Sequence, residues 1–421
     1  MEEKKKTSIW HKAKTYLLGV RYEVITKDEA GNIISIEDDL EHESIKDLIK
    51  YYLLIALTWI LTFLIGLTAF FWYISGSPLG IAKFGYTYFI TTQWAMDPPA
   101  KEELFVNMLK GLVKGTHDKH TVYLDKDDMK ELEMHTSSTY SGIGLLLDFS
   151  DGKILKVGAT MEGQPAEAAG LQKGDQILAI DGTPVSDIEK EDVANHIRGE
   201  EGTFVVLRIL RNGEEEEFSI ERKTIVMPTV KGQMLTDEVG YIRVTQFAEK
   251  TVDEFTKAYE ELQSKGMKRL VLDLRDNPGG LITTAHGIGQ YLVPKGPIVT
   301  VQTRRGKTTA YMSRGEYPLI PLVVLINGNS ASASEIIAGA VQDTKSGTIV
   351  GTKSYGKGTV QSVVQGLDGE GLKITIARYH TPNDRVIDGI GIEPDEVVEP
   401  SKTNPEEDVQ MERAIEIVKT L

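Results

Sequence analysis

The chain has 421 residues, a formal net charge of −15 and no cysteine. That length predicts two or three domains rather than one. Without cysteine there is no thiol catalysis, no disulfide and no cysteine-rich zinc site, and an acidic chain without a Lys/Arg stripe argues against a nucleic-acid partner.

Residues 1–50 are mixed charged and polar, with a hairpin predicted around Ala30-Gly31-Asn32. From Tyr51 to Ile74 the sequence reads YYLLIALTWILTFLIGLTAFFWYI and carries no charge. As a helix it would be roughly 36 Å long, enough to span a bilayer. Tyr51, Tyr52, Trp72 and Tyr73 sit at its ends, where aromatic belts occur. We read 51–74 as a transmembrane helix. A buried core helix is the alternative, and Ser75-Gly76-Ser77 leaves a small-residue cleavage site open. Lys46 and Lys50 before the span, against Lys83 after it, favour a cytoplasmic N-terminus.

Residues 75–97 read as a connector. Residues 98–137 read as helical, with Leu104, Met108, Leu109 and Leu112 at helical spacing and HDKHTVYL as an interruption. From 138 to 224 the texture changes to short strands with glycine punctuation: SGIGLLLDF, GKILKVGAT, TFVVLRILRNG and EEEEFSIERK, with a helical stretch near Asp187 to Ile197. From 225 to 396 strands and helices alternate. LVLDL (270–274) and PLVVLIN are continuous apolar strands, which suggests a sheet covered on both faces. Residues 397–421 close with an amphipathic helix over Glu406 to Leu421, with Val409, Ile415 and Val418 on one side.

Three segments carry chemistry. In NGNSASASEIIAGAVQD (327–343) a strand runs through small residues into a helix. A serine there lies near free N–H groups and the positive helix end, a setting that can stabilise an oxyanion. Ser332-Ala333-Ser334-Glu335 also matches a plain capping box. GTKSYGKGTVQ (351–361) nearly matches a phosphate loop, but Gly358 stands where the magnesium-binding hydroxyl belongs and a β-rich run follows. Lys357 could instead act as a base if burial lowers its pKa, with Thr359 and Gln361 on the same strand face and Gln361 holding the amine. An exposed turn lysine is the plain alternative. LDLRDNPGG (272–280) ends a buried strand in a turn that can expose N–H groups, with Asp273 and Arg275 paired for structure as its ordinary reading.

Taken in order, VLDLRDNPGG, VVLINGNSASASEIIAGAVQD, GTKSYGKGTVQS and ARYHTPNDRVIDGIGIEPD resemble the C-terminal processing peptidases, or tail-specific proteases, over about residues 98 to 396. The resemblance implies an α/β crotonase-like peptidase core (225–396, with 98–137 as its helical N-terminal part) and an inserted mainly-β PDZ domain at 138–224. It implies Ser332 as nucleophile, Lys357 as general base and Gln361 as its assistant. The oxyanion donors would be the backbone of Ala333 and of the pair Gly279 and Gly280, with Gly279 expected to serve. Asp343 is sometimes counted with this set; at the far end of the Ser332 helix it is expected to be structural. Ser141, Gly142, Ile143 and Gly144 match the PDZ loop that binds a terminal carboxylate, and PAEAAGLQKGDQILAIDGTPV matches the PDZ central stretch. Tyr355 stands where the family usually has Phe, and HDKHTVYL where it often has a DPHSxYL-like segment.

Together, the 51–74 span and the resemblance imply a membrane-anchored serine endopeptidase without metal or cofactor, acting on proteins with free C-terminal tails. Its expected place is the bacterial cell membrane, single-pass, with the peptidase part outside the cytoplasm; a homo-oligomer is left open. The rival is a catalytically silent, membrane-anchored PDZ scaffold. No HExxH supports a zinc peptidase, and His117 and His120 read as a polar loop. For a Ser-His-Asp hydrolase, His286 and His380 are the only candidates in the core. Because the PDZ module interrupts the peptidase region, it is expected to gate the nucleophile.

Overall fold

A computed structural model describes residues 23–27, 30–38, 45–150, 152, 154–401, 403–404 and 407–421. They fall in two compact units that divide between Glu103 and Leu104. In the first, β1 (Glu23–Lys27) and β2 (Ile33–Asp38) pair antiparallel, and Gly31 takes the left-handed φ of +85° that a tight turn needs. This is the hairpin expected around Ala30–Asn32. Helix α1 (Ile45–Ser75) follows, and none of the apolar stretch Ile49–Ser75 is buried within the protein. That exposure is not the setting of a core helix. The hydroxyls of Thr58, Thr62, Thr68 and Ser75 donate back to carbonyls three or four residues earlier, so the helix satisfies its own polar groups.

The 75–97 segment is not a plain connector: Gly80–Trp94 forms a helix, α2. It buries no residue, and its apolar side chains follow no single stripe, so the sequence shows no one-sided period there.

The division falls within α3 (Lys101–Lys114), and the second unit continues with the short strand β3 (Val122–Leu124) and α4 (Lys126–Ser137). Asp125 caps α4 by accepting the N–H groups of Asp127 and Asp128, and it pairs with Lys110 Nζ at 2.7 Å. SGIGLLLDF, read as one strand, is two. It breaks at Ile143 and Gly144 into β4 (Thr139–Gly142) and β5 (Leu145–Asp148), because Gly144 has φ +72°. Next come β6 (Lys156–Thr160), α5 (Pro165–Ala168), β7 (Gln176–Ile180) and β8 (Thr183–Pro184). The helix expected near Asp187–Ile197 shrinks to a 3-10 turn at Val185–Asp187 and to α6 (Val193–Ile197). Then β9 (Phe204–Arg211), β10 (Glu214–Glu221) and β11 (Lys223–Val226) close the module.

Its sheet runs β10-β9-β7-β6-β5, with β8 added to β7, around a core including Ile143, Val157, Ile180, Leu207 and Ile209. Strand β4 pairs with β11, so the incoming and outgoing chains form one ribbon. Strand β5 is left at a sheet edge.

The rest of the unit comprises β12 (Val230–Met234), β13 (Val239–Val244), α7 (Thr251–Ser264), β14 (Arg269–Asp273), α8 (Ile282–Leu292), β15 (Gly296–Thr303), β16 (Thr308–Ser313), β17 (Leu322–Ile326), α9 (Ala333–Thr344), β18 (Thr348–Gly351), β19 (Thr359–Gln365), β20 (Gly371–His380), β21 (Glu396–Val397) and α10 (Val409–Thr420). One sheet has the order β12-β13-β14-β17-β18-β21, parallel from β13 onward. Its strands read as unbroken apolar runs because both faces are covered. Leu270, Leu272, Val324 and Ile326 pack into one core with α7, α8 and α9, while Val271, Val323, Leu325 and Val350 face α10. A second, antiparallel sheet runs β16-β15-β20-β19, with β3 on β20.

The buried contacts of α10 are Gln410, Ala414 and Val418, flanked by Met411 and Ile417, rather than the Val409–Ile415–Val418 stripe. An ionic clamp sets that face. Arg275 binds Asp408 with both Nη atoms at 2.7 and 2.8 Å, and Gln410 with one at 3.1 Å. The same guanidinium holds the fully buried Asp273, which also accepts from Tyr241. The Asp273–Arg275 pair therefore reaches beyond its own turn, to the C-terminal helix.

Candidate active site

The three chemistry-bearing segments leave the carboxyl ends of three adjacent parallel strands, β14, β17 and β18. Crevices at such strand ends are where open α/β sheets bind ligands. Ser332 starts α9 with φ 55° and ψ −111°, a region that non-glycine residues seldom occupy. Backbone held there costs about 1–3 kcal/mol and marks sites where surrounding structure fixes a side chain for a purpose.

The neighbours that fix it are identifiable. Asn277 is fully buried. Its amide donates to Val244 O and accepts from Gly279 N, and its carbonyl takes Ala331 N–H at 3.0 Å and Ser334 Oγ at 2.9 Å. The Pro-Gly-Gly turn is thereby bound to the Ser332 loop. At Gly279 (φ +101°) an added Cβ would lie 2.6 Å from Ala331 O and 2.8 Å from Ser332 Cβ, so no larger residue fits.

The turn also sorts the N–H donors. Gly279 N–H is occupied by Asn277 Oδ1 at 2.8 Å, which takes it out of the role expected for it. Gly280 differs. The parallel bridge to Phe247 uses Gly279 O and Leu281 N–H, so the N–H of Gly280 points away from Phe247. Among the described residues, the N–H groups of Gly280 and Ala333 find no acceptor. Those two, rather than Gly279, are free to meet a developing oxyanion.

Two buried side chains join the Ser332 loop to the Lys357 loop. Glu335 is fully buried and accepts four hydrogen bonds. One oxygen takes Ser332 N–H at 2.8 Å and Lys357 N–H at 2.9 Å; the other takes Gly356 N–H at 2.7 Å and Ser354 Oγ at 2.6 Å. Burial pushes its pKa up, against the pull of those four donors. The capping reading of Glu335 is thus half of its work. Tyr379, buried in the core, places its hydroxyl between the backbone carbonyls of Ser332, at 3.1 Å, and Lys357. Nothing in the local sequence around Tyr379 pointed to this, since the contact exists only once β20 crosses behind both loops.

Lys357 is largely buried, and burial holds its pKa below the usual lysine value. The charges of Lys373 and Lys119 push the same way, while Glu335 and Asp118 oppose. Its hydrogen bonds run through its backbone, and its Nζ has no partner among the described residues. No hydrogen bond joins Nζ to Ser332 Oγ in this resting arrangement. Gln361 does not hold the amine either. Its Nε2 donates to Thr359 Oγ1 at 2.8 Å and to Thr375 Oγ1 at 3.3 Å, across a register shift between Val360 and Gln361. That anchoring leaves the Gln361 carbonyl oxygen as its free end.

Asp343 sits at the other end of α9, roughly 16 Å from Ser332 by helical rise. It accepts Asn383 N–H at 2.8 Å and pairs with Arg385, pinning the turn after β20. His286 bonds Met312 O and His380 pairs with Asp384, so neither serves Ser332. The histidine in the electrostatic reach of Lys357 is His120, from the segment read as a polar loop.

In the β4–β11 module, Ser141 and Gly142 belong to the ribbon, while Ile143 and Gly144 lead into edge strand β5. The N–H groups of Ile143 and Gly144 have no acceptor among the described residues. Ser141 Oγ is buried without a partner.

Sequence comparison agrees with this layout. The profile of peptidase family S41 matches residues 238–398, and that of the PDZ domain matches residues 156–211. A carboxyl-terminal-processing protease of Synechocystis sp. is 38% identical over 311 residues, covering 71% of this chain and 73% of its own. The carboxy-terminal processing protease CtpA of Bacillus subtilis is 34% identical over 296 residues, covering 70% of this chain and 63% of its own. The solved structure of a photosystem II D1 C-terminal processing protease aligns with 79% of this chain and 89% of its own, at 29% identity and a TM-score of 0.46. With its peptidase and PDZ regions both matched, the chain belongs to the carboxyl-terminal processing proteases of serine peptidase family S41.

Proposed function

We propose that the protein is a membrane-anchored endopeptidase that cleaves proteins near their C-termini by Ser332–Lys357 acyl transfer. The observation that carries this reading is the tether between the two loops. Glu335 and Tyr379 bind the backbones of Ser332 and Lys357 to each other, and the free N–H groups of Gly280 and Ala333 flank the serine. Neutral Lys357 takes the Ser332 proton as Oγ adds to the scissile carbonyl carbon. The carbonyl oxygen gathers charge opposite Gly280 and Ala333 N–H. The lysine proton then passes to the leaving amine, and water hydrolyses the acyl-enzyme. Side-chain rotation of Ser332 and Lys357 closes the dyad, as resting hydrogen bonds at such sites are often loose. The core is read as crotonase-like, and Gln361, with its amide fixed by Thr359 and Thr375, offers its carbonyl oxygen to the lysine.

Helix α1 supplies the anchor on this reading, in a bacterial cell membrane with the peptidase outside. The PDZ module supplies tail recognition: a substrate strand adds to edge strand β5 and its carboxylate meets the N–H groups of Ile143 and Gly144. Deleting residues 138–224 should then change turnover or the length of tail removed; an unchanged cleavage pattern removes both recognition and gating from the module. The peptidase assignment itself is tested with an unfolded protein substrate. Ser332→Ala should leave it intact while the parent chain cuts it, and equal cleavage by both would leave the silent-scaffold reading standing.

A further inference from the structure

Two polar groups within electrostatic reach of each other lack partners. His120 Nε2 is buried without a hydrogen bond, and Lys357 Nζ has no acceptor among the described residues. A buried polar atom without a partner is rare enough to need a reason. His120 lies in the turn just before β3, its N–H bonded to Asp118 Oδ1 at 3.0 Å. Val122 of β3 stands opposite Lys373 of β20, and Gln361 of β19 stands opposite Thr375. His120 precedes this ladder, and Thr121 beside it reaches Thr375, the cross-strand partner of Gln361.

Contacts on both sides hold the loop there. Thr121 Oγ accepts Thr375 N–H at 3.1 Å and donates to Asp118 at 2.6 Å. Lys119 Nζ lies 3.3 Å from the Tyr355 hydroxyl and 4.9 Å from its ring centroid, two residues before Lys357. Burial first, and then the Lys357 charge, hold the imidazole below its usual pKa. Lys119 adds to this, while Asp118 and Asp388 oppose it. Burial and the Lys357 charge both favour the neutral imidazole, whose unprotonated nitrogen can accept a hydrogen bond.

We propose that His120 is a positioning residue for Lys357: its Nε2 accepts a hydrogen bond from Lys357 Nζ as that amine takes the Ser332 proton. The proposal rests on the Ser332–Lys357 reading. When the Ser332 O–H bond breaks, its proton goes to Nζ and the Oγ electron pair forms the bond to the carbonyl carbon. The new ammonium carries three N–H donors in a poorly solvated place. His120 gives one of them an acceptor and takes no proton, which later passes to the leaving amine.

Two polar variants test this. Glutamine at 120 carries an amide oxygen to about the reach of Nε2, whereas asparagine stops near Nδ1. His120→Gln should keep kcat within about 3-fold of the parent. His120→Asn should lose about 10- to 100-fold in kcat, the worth of a hydrogen bond to a charged group, with KM little changed. Its acidic limb should also move to lower pH, because the protonated lysine has lost an acceptor. If His120→Asn does not fold, His120→Phe takes its place with the same expected loss. Equal activity of the Gln and acceptor-free variants, or a loss confined to KM, overturns the proposal. Ser332→Ala and Lys357→Met are assayed alongside. Activity in either means that the dyad reading has failed, whatever His120 does.

Discussion

Lys357→Met should lose about 10³-fold or more in kcat while folding normally, because methionine keeps the stem and removes the proton acceptor. The loss should be in kcat rather than KM, since on the proposed mechanism Lys357 acts on the serine and not on the resting substrate. The parent enzyme carries a matching pH signature. Burial, Lys373 and Lys119 hold Lys357 below the ordinary lysine pKa. Its neutral, active form is therefore present above that lowered pKa and is lost as pH falls through it. Removing one of the positive neighbours reverses part of the shift: Lys373→Gln should move the acidic limb to higher pH. A Lys357→Met variant with near-parental kcat, or a Lys373→Gln limb that moves downward, would contradict the role.

Glu335→Gln comes second in expected effect. The carboxylate accepts four hydrogen bonds with no solvent contact. An amide can accept on one side only, so its NH2 must face either the Ser332 and Lys357 N–H groups or the Gly356 N–H and the Ser354 hydroxyl. Buried donors left facing a donor cost about 1–3 kcal/mol each. We expect about 2–4 kcal/mol less stability in urea unfolding, together with a turnover loss of at least about 10-fold because the two loops come apart. Full stability with full turnover would show that the tether is dispensable.

How much of this was legible in the sequence depended on whether a feature is local. The strands LVLDL and PLVVLIN, the helix after Ser332 and the glycine-broken β texture of 138–224 all follow from local pattern, and all are present. Ser332, Lys357 and the Pro-Gly-Gly turn were visible because each sits in a short motif, and the sheet brings them together by placing their strands side by side. Tyr379, Asn277 and His120 were not visible. Tyr379 and Asn277 bond to partners 22 and 57 residues away, His120 feels the charge of Lys357 from a turn far along the chain, and no periodicity encodes such meetings. Glu335 was seen only as a cap, because the i, i+3 half of its bonding is local and the bonds to Ser354, Gly356 and Lys357 are not. Gly279 reads as the donor in the sequence because nothing local shows that Asn277 folds back onto its N–H. The helix at Gly80–Trp94 escaped for a different reason: its apolar residues mark no single face.

The pairing of Ser332 with Lys357 is tested most directly by trapping the acyl-enzyme. The parent chain and Lys357→Met are each treated with a slowly hydrolysed acylating reagent across a pH series, then digested and mapped by mass spectrometry. The expected result is a single adduct on Ser332, formed faster as pH rises through the lowered lysine pKa and nearly absent in Lys357→Met. An adduct on another residue, or equal labelling of Ser332 with and without Lys357, would contradict the account.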